Sequence, residues 1–427
     1  VINELNLCSL FDGMSCMQIA LKVAGLTPTK YYASEIEKFP IKSTMNLFPN
    51  TIQIGDVRNV KGSDLGFIHI LAGGSPCQSF SFAGKRKGMA TKCEVEILTL
   101  DHYLELKSQN FEFEGQSYLF WEYMRILHEL REINPDIKFL LENVVMGEKW
   151  QNILTKAIGI NPIKINSALV SAQNRNRLYW TNIGSEPVGF FGDLECGIPQ
   201  PKDKGILLKD VLETFETSNF ESQEDFDAYM DKYFLSDKMI NCLQSHSDKK
   251  QSEGCGFKFE PTTGSKKSKI LTTKPGTRTD DNYIVHNTMP RSSKTGKGGT
   301  EPLSRNDGKT YCLDTGNTNA IEVEVVGGDF DFDGNFRERP NGKSGTLRAR
   351  ARNDESCSQL AMINKTIRRL TPRECGRLQT VPEDILDIML NCGISDTQLY
   401  KMFGNGWTID VIVYMLSYYK IEKLQLK

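Results

Sequence analysis

The sequence predicts an α/β fold, an open-sheet domain joined to a smaller domain rich in loops and short strands. Two observations carry that expectation. Through about residue 185, apolar runs alternate with segments of helical spacing, the pattern of strand–helix units. From about residue 186, Pro, Gly, Ser, Thr, Asn and Lys become frequent and the helical period fades. At 427 residues the chain is longer than one compact core usually takes, so two domains are expected. The expected boundaries are 1–190 for the sheet domain, 191–394 for the second domain, and 395–427 for a C-terminal helix returning to the first.

Residues 5–11 form an apolar run ending at Asp12-Gly13, and 16–24 carry helical spacing. A second strand, 31–34, ends at Glu35, and a third, 51–54, ends at Gly55-Asp56. The fourth, 67–72, runs into Gly73-Gly74-Ser75-Pro76-Cys77. This segment is expected to be a sharp, rigid exit, because Pro76 fixes its own φ and restricts Ser75. An amphipathic helix is expected over 118–133, then a fifth strand, 139–141, ending at Glu142-Asn143. Residues 163–170 and 178–183 read as a hairpin at the sheet edge. In the second domain, 269–273, 310–313 and 346–350 read as short strands and weak repeats. Order returns at Thr371-Pro372-Arg373-Glu374, a capping box that should start a helix at Pro372. Gly404-Asn405-Gly406 reads as a tight turn before a helix over 408–423, apolar at Ile409, Ile412, Val413 and Leu416.

Composition narrows the function classes. Hydrophobic content of 39% with 25% charged residues fits a soluble globular enzyme. A formal net charge of −2 gives no global polyanion signature, so a nucleic-acid site must come from local clustering. Two such clusters exist: Lys249, Lys250, Lys258, Lys266, Lys267, Lys269, Lys274 and Arg278, then Arg337, Arg339, Arg348, Arg350 and Arg352. Charge runs are commonly solvated faces, and they are also what a backbone-gripping DNA reader carries. The 11 cysteines are scattered without a C-x-x-C pair, against a zinc site or disulfide framework and in favour of reduced thiols. No metal is expected. With no long apolar run and no visible signal peptide, a cytoplasmic protein is expected. The first residue is Val, so the natural start is expected upstream.

A thiol at the tip after Pro76 is held and exposed, as a nucleophile needs, although a free cysteine is as readily a buried filler. The loop Phe11-Asp12-Gly13-Met14-Ser15 has one glycine through which backbone N–H groups approach a ligand, a weak signal alone. Glu35 suits ribose hydroxyls, and Asp56 suits an exocyclic amine. Either carboxylate alone is more often a cap or turn residue; three candidates at successive strand ends point to a nucleoside site. Glu142, at the mouth of an apolar strand, is placed to share a proton with a base ring nitrogen. Gln173-Asn174-Arg175-Asn176-Arg177 puts two arginines on one strand face by the two-residue period. They could hold that acid or a phosphate; an edge strand with alternating charge is the ordinary alternative.

As an ordered set, these residues resemble the DNA cytosine-5 methyltransferase family, which uses S-adenosylmethionine. The motifs are Phe11-Asp12-Gly13, Glu35, Asp56, Pro76-Cys77-Gln78, Glu142-Asn143-Val144, Gln173-x-Arg175-x-Arg177, Arg368-x-Leu370-Thr371-Pro372-Arg373-Glu374 and Gly404-Asn405-Gly406. They cover about half of the chain. Residues 191–365 occupy the place of the family's variable target-recognition domain. Three features depart from the pattern: Ser15 replaces a second glycine, Gly406-Trp407 replaces a small residue and a Val-Pro pair, and the stretch 85–116 is long for a mobile catalytic loop. The added part, about 94–114, reads as a DNA contact or an inserted surface hairpin.

The resemblance implies a Rossmann-like S-adenosylmethionine-dependent methyltransferase domain. Cys77 attacks carbon 6 of a flipped cytosine, Glu142 handles charge at ring nitrogen 3, and Arg175 and Arg177 steady the base or Glu142. Phe11, Asp12, Gly13, Met14, Ser15, Glu35, Ile36, Asp56, Val57, Pro76 and Asn405 are implied to hold the cofactor, leaving S-adenosylhomocysteine as product. Double-stranded DNA is implied at Gln78, Ser79, Ser81, Lys85, Arg86, Lys87, Lys266, Lys267, Arg348 and Arg350. A monomer with no obligatory protein partner is expected, of the bacterial or phage type; a restriction endonuclease acting on the same DNA sequence is the one candidate partner. Rival readings are weaker. A tRNA methyltransferase of this fold carries a Cys-Phe-Thr segment absent here. A catalytically dead DNA-binding module would have lost Cys77, Glu142 or the cofactor loop. A nicotinamide enzyme needs a fuller glycine fingerprint and gives Cys77 no role.

Overall fold

The computed structural model describes residues 4–76, 89–93, 95–188, 193–213, 221–233 and 370–425, with short pieces between 242 and 368. Two compact units result. The first comprises the residues up to Ile206 and those from Pro372 onward, with the second drawn from 207–371. The expected boundary at 394 therefore moves back to 371. The reason is apolar packing: Pro372–Leu378, Glu383–Asn391 and Asp396–Asn405 are helices with buried faces, and Glu383–Asn391 packs on the first unit's own helix Lys38–Leu47.

The first unit is built on a seven-stranded sheet, ordered β3-β2-β1-β4-β5-β7-β6. Its strands are β1 (Asn6–Leu10), β2 (Lys30–Ser34), β3 (Ile52–Gln53), β4 (Ile70–Gly74), β5 (Lys138–Val144), β6 (Ile163–Asn166) and β7 (Asn176–Thr181). The first five run parallel. The last two are the expected edge hairpin, with β7 antiparallel to both β5 and β6. The helices are α1 (Cys16–Val23), α2 (Lys38–Leu47), α3 (Leu100–Ser108), α4 (Phe120–Ile133) and α5 (Glu148–Ile158). The strands are buried on both faces, as a parallel sheet covered by helices requires: Leu7, Cys8, Leu10, Ile70, Leu71, Ala72, Leu140 and Leu141 are fully covered.

Two local expectations change. Gly73 and Gly74 lie inside β4 and do not turn the chain. They are glycines because space demands it. A Cβ on Gly73 would come within 3.0 Å of the Tyr123 ring, and one on Gly74 within 2.8 Å of Trp407 Nε1. Residues Gly404-Asn405 end a helix, and only Gly406 lies beyond it as its cap. The helix expected at 408–423 is Ile409–Gln425. It packs on α1, and its Ile409, Val411, Ile412, Met415, Leu416 and Tyr419 are fully buried.

Of the second unit, the described parts include the helix Gln223–Tyr233 and two antiparallel pairs, Ile284–Asn287 with Lys365–Arg368 and Gly328–Phe330 with Phe336–Glu338. The strands expected at 269–273, 310–313 and 346–350 lie outside the described residues. Thr371, expected as an N-cap, bonds through its hydroxyl to Glu213 in the same unit. No helix among the described residues is long and apolar enough to cross a membrane.

Gly376 tests the packing of the C-terminal helices. A Cβ there would sit 2.2 Å from Leu386 Cδ2 and 3.2 Å from the Phe403 ring. Gly376→Ala is expected to cost about 1–3 kcal/mol by overpacking, read as a lower denaturant midpoint with an unchanged slope.

Candidate active site

The parallel strands bring every strand-end candidate to one edge. β1 delivers the Phe11–Ser15 loop, β2 Glu35, β3 Asp56, β4 Ser75-Pro76 and β5 Glu142. In this loop Phe11, Gly13 and Ser15 all have positive φ, between 56° and 62°. Ser15 thus takes a left-handed conformation that favours glycine, at a cost of order 1 kcal/mol. Its side chain is fully buried, so it does not crowd the open side. The loop is fastened from β2: the backbone N–H of Gly13 donates to Glu35 Oε2 at 2.8 Å. The other oxygen, Oε1, accepts from Ile36 and Glu37 at 2.7 and 2.8 Å. At the next strand end, Ser34 Oγ donates to the Gly55 carbonyl at 2.7 Å.

Asp12 is turned inward. Tyr31 Oη donates to its Oδ1 at 2.7 Å, while Oδ2 accepts no hydrogen bond of normal length. Burial pushes this carboxyl up to about 6, and the hydroxyls of Ser9, Tyr31 and Ser15 partly oppose the shift. Met14 is also buried, and its methyl is among the atoms that a Cβ on Gly406 would meet, at 2.6 Å. Both residues were expected to hold a cofactor; their side chains instead pack beneath the loop. Asp56 caps a short helix and is engaged by Arg58, whose backbone N–H and Nε donate to Oδ1 at 2.9 and 3.0 Å. Nε also reaches Oδ2 at 2.9 Å, with Nη2 on the same oxygen. This arginine holds the Asp56 carboxyl below its ordinary value. An incoming amine would share that carboxylate by displacing one arm of the bifurcated Nε. Ile36 has 64% of its surface exposed at this edge. Together, the acceptors Glu35 and Asp56 and the apolar Ile36 suit the hydroxyls, amine and ring of an adenosine better than a phosphate.

β4 and β5 place the second half of the site. Gly74 pairs in register with Glu142. Asn143 Nδ2 donates to Ser75 Oγ at 2.9 Å and to the Ser75 carbonyl at 3.3 Å, anchoring the chain two residues before Cys77. Cys77 itself, with Gln78, Ser79, Ser81, Lys85, Arg86 and Lys87, lies outside the described residues, as do Lys266, Lys267, Arg348 and Arg350. Glu142 Oε1 meets Arg177 Nε at 2.8 Å, with both side chains about one-tenth exposed. Such a pair holds its geometry because either partner alone would be a buried, uncompensated charge. Cys16 also sits near this edge, but burial pushes its thiol up to about 12, which leaves it protonated and a poor nucleophile.

The two arginines expected to act together separate. Arg175 donates to the carbonyls of Gly404 and Gly406 at 3.1 and 2.9 Å, so it fastens the C-terminal segment. Gln173 Nε2 reaches the Leu378 carbonyl at 3.4 Å. Ser167 and Thr408 share a hydroxyl bond at 2.7 Å, and Gln379 Oε1 accepts from Thr408 at 3.0 Å. Asn405 is exposed. Trp407, noted in the sequence only as a departure, is a residue of the site: its indole and Glu142 Oε2 flank Gly74, at 2.8 and 3.4 Å from a Cβ placed there. No local pattern in the sequence points to that contact, since it joins opposite ends of the chain.

A family model described as C-5 cytosine-specific DNA methylase matches residues 5–102 and 106–420. Among curated proteins, the chain is 24% identical over 451 residues to the orphan methyltransferase M.SPRI of Bacillus phage SPR, covering 96% of each. It is 24% identical over 393 residues to the type II methyltransferase M1.ScrFI of Lactococcus lactis subsp. cremoris, covering 89% of this chain and 69% of the relative. Among solved structures, the Entamoeba histolytica methyltransferase EhMeth superposes with a TM-score of 0.53 at 13% identity, covering 97% of this chain and 98% of that one. The S. pombe Dnmt2 methyltransferase superposes with a TM-score of 0.51 at 14% identity, covering 99% of both chains. The structural likenesses speak to the fold.

The buried Asp12 carboxyl makes stability depend on pH in a defined direction. Its value rises from 3.8 to about 6 in the folded state. Below pH 3.8 it is protonated in both states and contributes nothing. As pH climbs through that window the unfolded chain releases the proton first, so the folded state loses roughly 2–3 kcal/mol, and no more above the window. Asp12→Asn is therefore expected to gain on the parent protein across this range and to hold a constant advantage at higher pH. Denaturant titrations in steps of pH check this; a difference that does not vary with pH would mean that folding leaves the carboxyl's proton affinity unchanged.

Proposed function

The chain belongs to the C-5 cytosine-specific DNA methylase family and is a DNA cytosine-5 methyltransferase, and on that premise we propose that Cys77 is its nucleophile, Glu142 its proton-handling group and S-adenosylmethionine its methyl donor. The observation that carries the assignment is the junction of β4 and β5. Asn143 fixes Ser75 beside the Glu142–Arg177 pair, so the chain leaves toward Cys77 next to the acid.

When bound, S-adenosylmethionine supplies an electrophilic methyl group on a sulfonium, and the Phe11–Ser15 backbone with Glu35, Ile36 and Asp56 would hold it. The Cys77 thiolate forms a bond to carbon 6 of the cytosine, and the electron pair of the 5,6 double bond moves toward carbon 5 and the ring. Glu142 shares a proton with ring nitrogen 3, where negative charge develops. Arg177 keeps the Glu142 carboxyl aimed and balances its charge. After carbon 5 is methylated, its proton leaves to a base. The electron pair re-forms the double bond and Cys77 departs as thiolate. The target carbon is inaccessible within a duplex, so the base is flipped out. Arg175 contributes through the carbonyls of Gly404 and Gly406, as a positioning residue. Duplex DNA is gripped in part by Lys266 and Lys267, and its sequence is read within 191–365. The enzyme works as a monomer without an obligatory protein partner; a dimer in sedimentation at assay concentration would contradict this.

Incubation with S-adenosylmethionine and unmethylated duplex DNA, followed by bisulfite sequencing, is expected to reveal 5-methylcytosine within a discrete motif. Cys77→Ser is expected to abolish transfer while duplex binding survives. Transfer by that variant above a trace would sink the nucleophile assignment, and transfer to RNA with none to DNA would sink the substrate. Replacing Lys266 and Lys267 with Ala should lower the slope of log affinity against log salt by about 2. An unchanged slope would remove both from the contact set.

A further inference from the structure

Within the stretch 85–116, the described residues do not form a surface hairpin. They fold against the core of the first unit. Ala90 and Thr91 bridge to Glu96 and Phe113, Thr99 caps α3, and Met89, Ile97, Tyr103 and Leu106 are buried. Tyr103, Phe113 and Tyr118 form a ring cluster, with Phe113 and Tyr118 stacked at 4.5 Å.

From that platform two polar groups reach one buried acid. Glu122, in the first turn of α4, is completely covered. Its Oε1 accepts from Tyr103 Oη and from Lys107 Nζ, both on α3. Its Oε2 accepts from Arg125 Nε at 2.7 Å. These two cations then grip the backbone just past Asp56. Arg125 Nη2 donates to the carbonyls of Val60 at 2.7 Å and Val57 at 3.4 Å, and Lys107 Nζ approaches the Arg58 carbonyl at 3.4 Å. Arg125 Nη1 also reaches Glu129 at 2.6 Å, whose other oxygen takes the Gly62 N–H at 2.6 Å. The acid is buried, so the cations that answer it are held in place, and the carbonyls they hold follow. A cavity of about 260 Å³ lies against this junction, lined in part by Arg58, Lys107 and the three rings.

We infer that Tyr103 and Lys107 of the inserted segment are positioning residues for the methyl donor, acting through Glu122 to set the loop that carries Asp56. This rests on the reading of Asp56 as the acceptor for the adenine amine. Neither residue touches the reacting atoms. Their effect is on cofactor affinity, because the loop they hold follows β3, on the nucleoside side of the site, whereas Glu142 lies on β5, separated from β3 by β2, β1 and β4.

The experiment measures S-adenosylmethionine binding by calorimetry on the full chain, with separate KM values for cofactor and duplex, kcat and thermal midpoint. Lys107→Met should weaken cofactor binding by about tenfold, the worth of one charge-assisted bond. The duplex KM and kcat at saturating cofactor should hold, and Lys107→Arg should restore affinity. Tyr103→Phe, which loses only a hydroxyl, should weaken cofactor binding in the same direction and decides the matter if Lys107→Met fails to fold. A raised duplex KM with intact cofactor affinity would make the insertion a DNA contact and overturn the inference. So would unchanged binding, or a fall in midpoint with kcat and both KM values altered together. Asp56→Ala is the separate control: if it binds cofactor normally, the Asp56 reading fails; if it binds weakly while Lys107→Met binds normally, the positioning role fails and that reading stands.

Discussion

A buried clasp between the strand edge and the end of the chain organises the catalytic unit. Arg175 holds the carbonyls of Gly404 and Gly406 across 229 residues of sequence or more. Around it, Ser171 reaches the Leu378 carbonyl at 2.6 Å and Gln379 Nε2 reaches those of Phe403 and Gly406. These groups are covered, so each hydrogen bond replaces one that water would otherwise make, and losing a partner would strand a desolvated acceptor. Helix ends expose carbonyls by construction. Here the last carbonyls of one helix are answered by a guanidinium from the sheet edge, and the helix is thereby placed. Every contact of Trp407 with Gly74 follows from that placement.

The surface ties alongside are weaker. Lys401 with Glu37 and Lys22 with Asp384 tie the C-terminal helices to the first two helices of the sheet unit at 2.6 and 2.7 Å, but they are solvent-exposed, and such pairs contribute about 0–1 kcal/mol. The apolar seam between α1 and Ile409–Gln425 supplies most of the adhesion. The clasp supplies the register that an apolar seam alone leaves loosely specified.

The strand ends were legible because each strand is a short apolar run closed by Asp, Glu or Gly, and β-sheet geometry does the rest: parallel neighbours put their carboxyl ends on one edge. The ordered motifs carried the reaction class for the same reason, since each sits at such an end. What the sequence hid was contact between distant segments. Arg175 and Arg177 look like one charged strand face, yet both side chains are buried, the first on the carbonyls of Gly404 and Gly406 and the second on Glu142. Gly73-Gly74 looks like a turn, yet both residues are extended and small because Tyr123 and Trp407 need the room. Asp12 looks like a ligand, yet its carboxyl is buried with Oδ1 on Tyr31. The stretch 94–114 carried no motif at all, and its attachment through Glu122 depends on α3 and α4 lying side by side. In each case the local pattern was right about chemistry and silent about direction.

The discontinuity of the catalytic unit has a consequence for how the protein comes into being. Arg175 is made before the second unit and its acceptors Gly404 and Gly406 after it. While the ribosome is still working, the sheet edge therefore carries a guanidinium, Gln173 and an apolar groove along α1 with nothing yet to cover them. Chains of this size expose such surfaces to misassociation before closure. The catalytic unit is completed only after Gly404, Gly406 and Ile409–Gln425 have been made, so a nascent chain stalled between residues 207 and 371 lacks the partners of Arg175 and of α1.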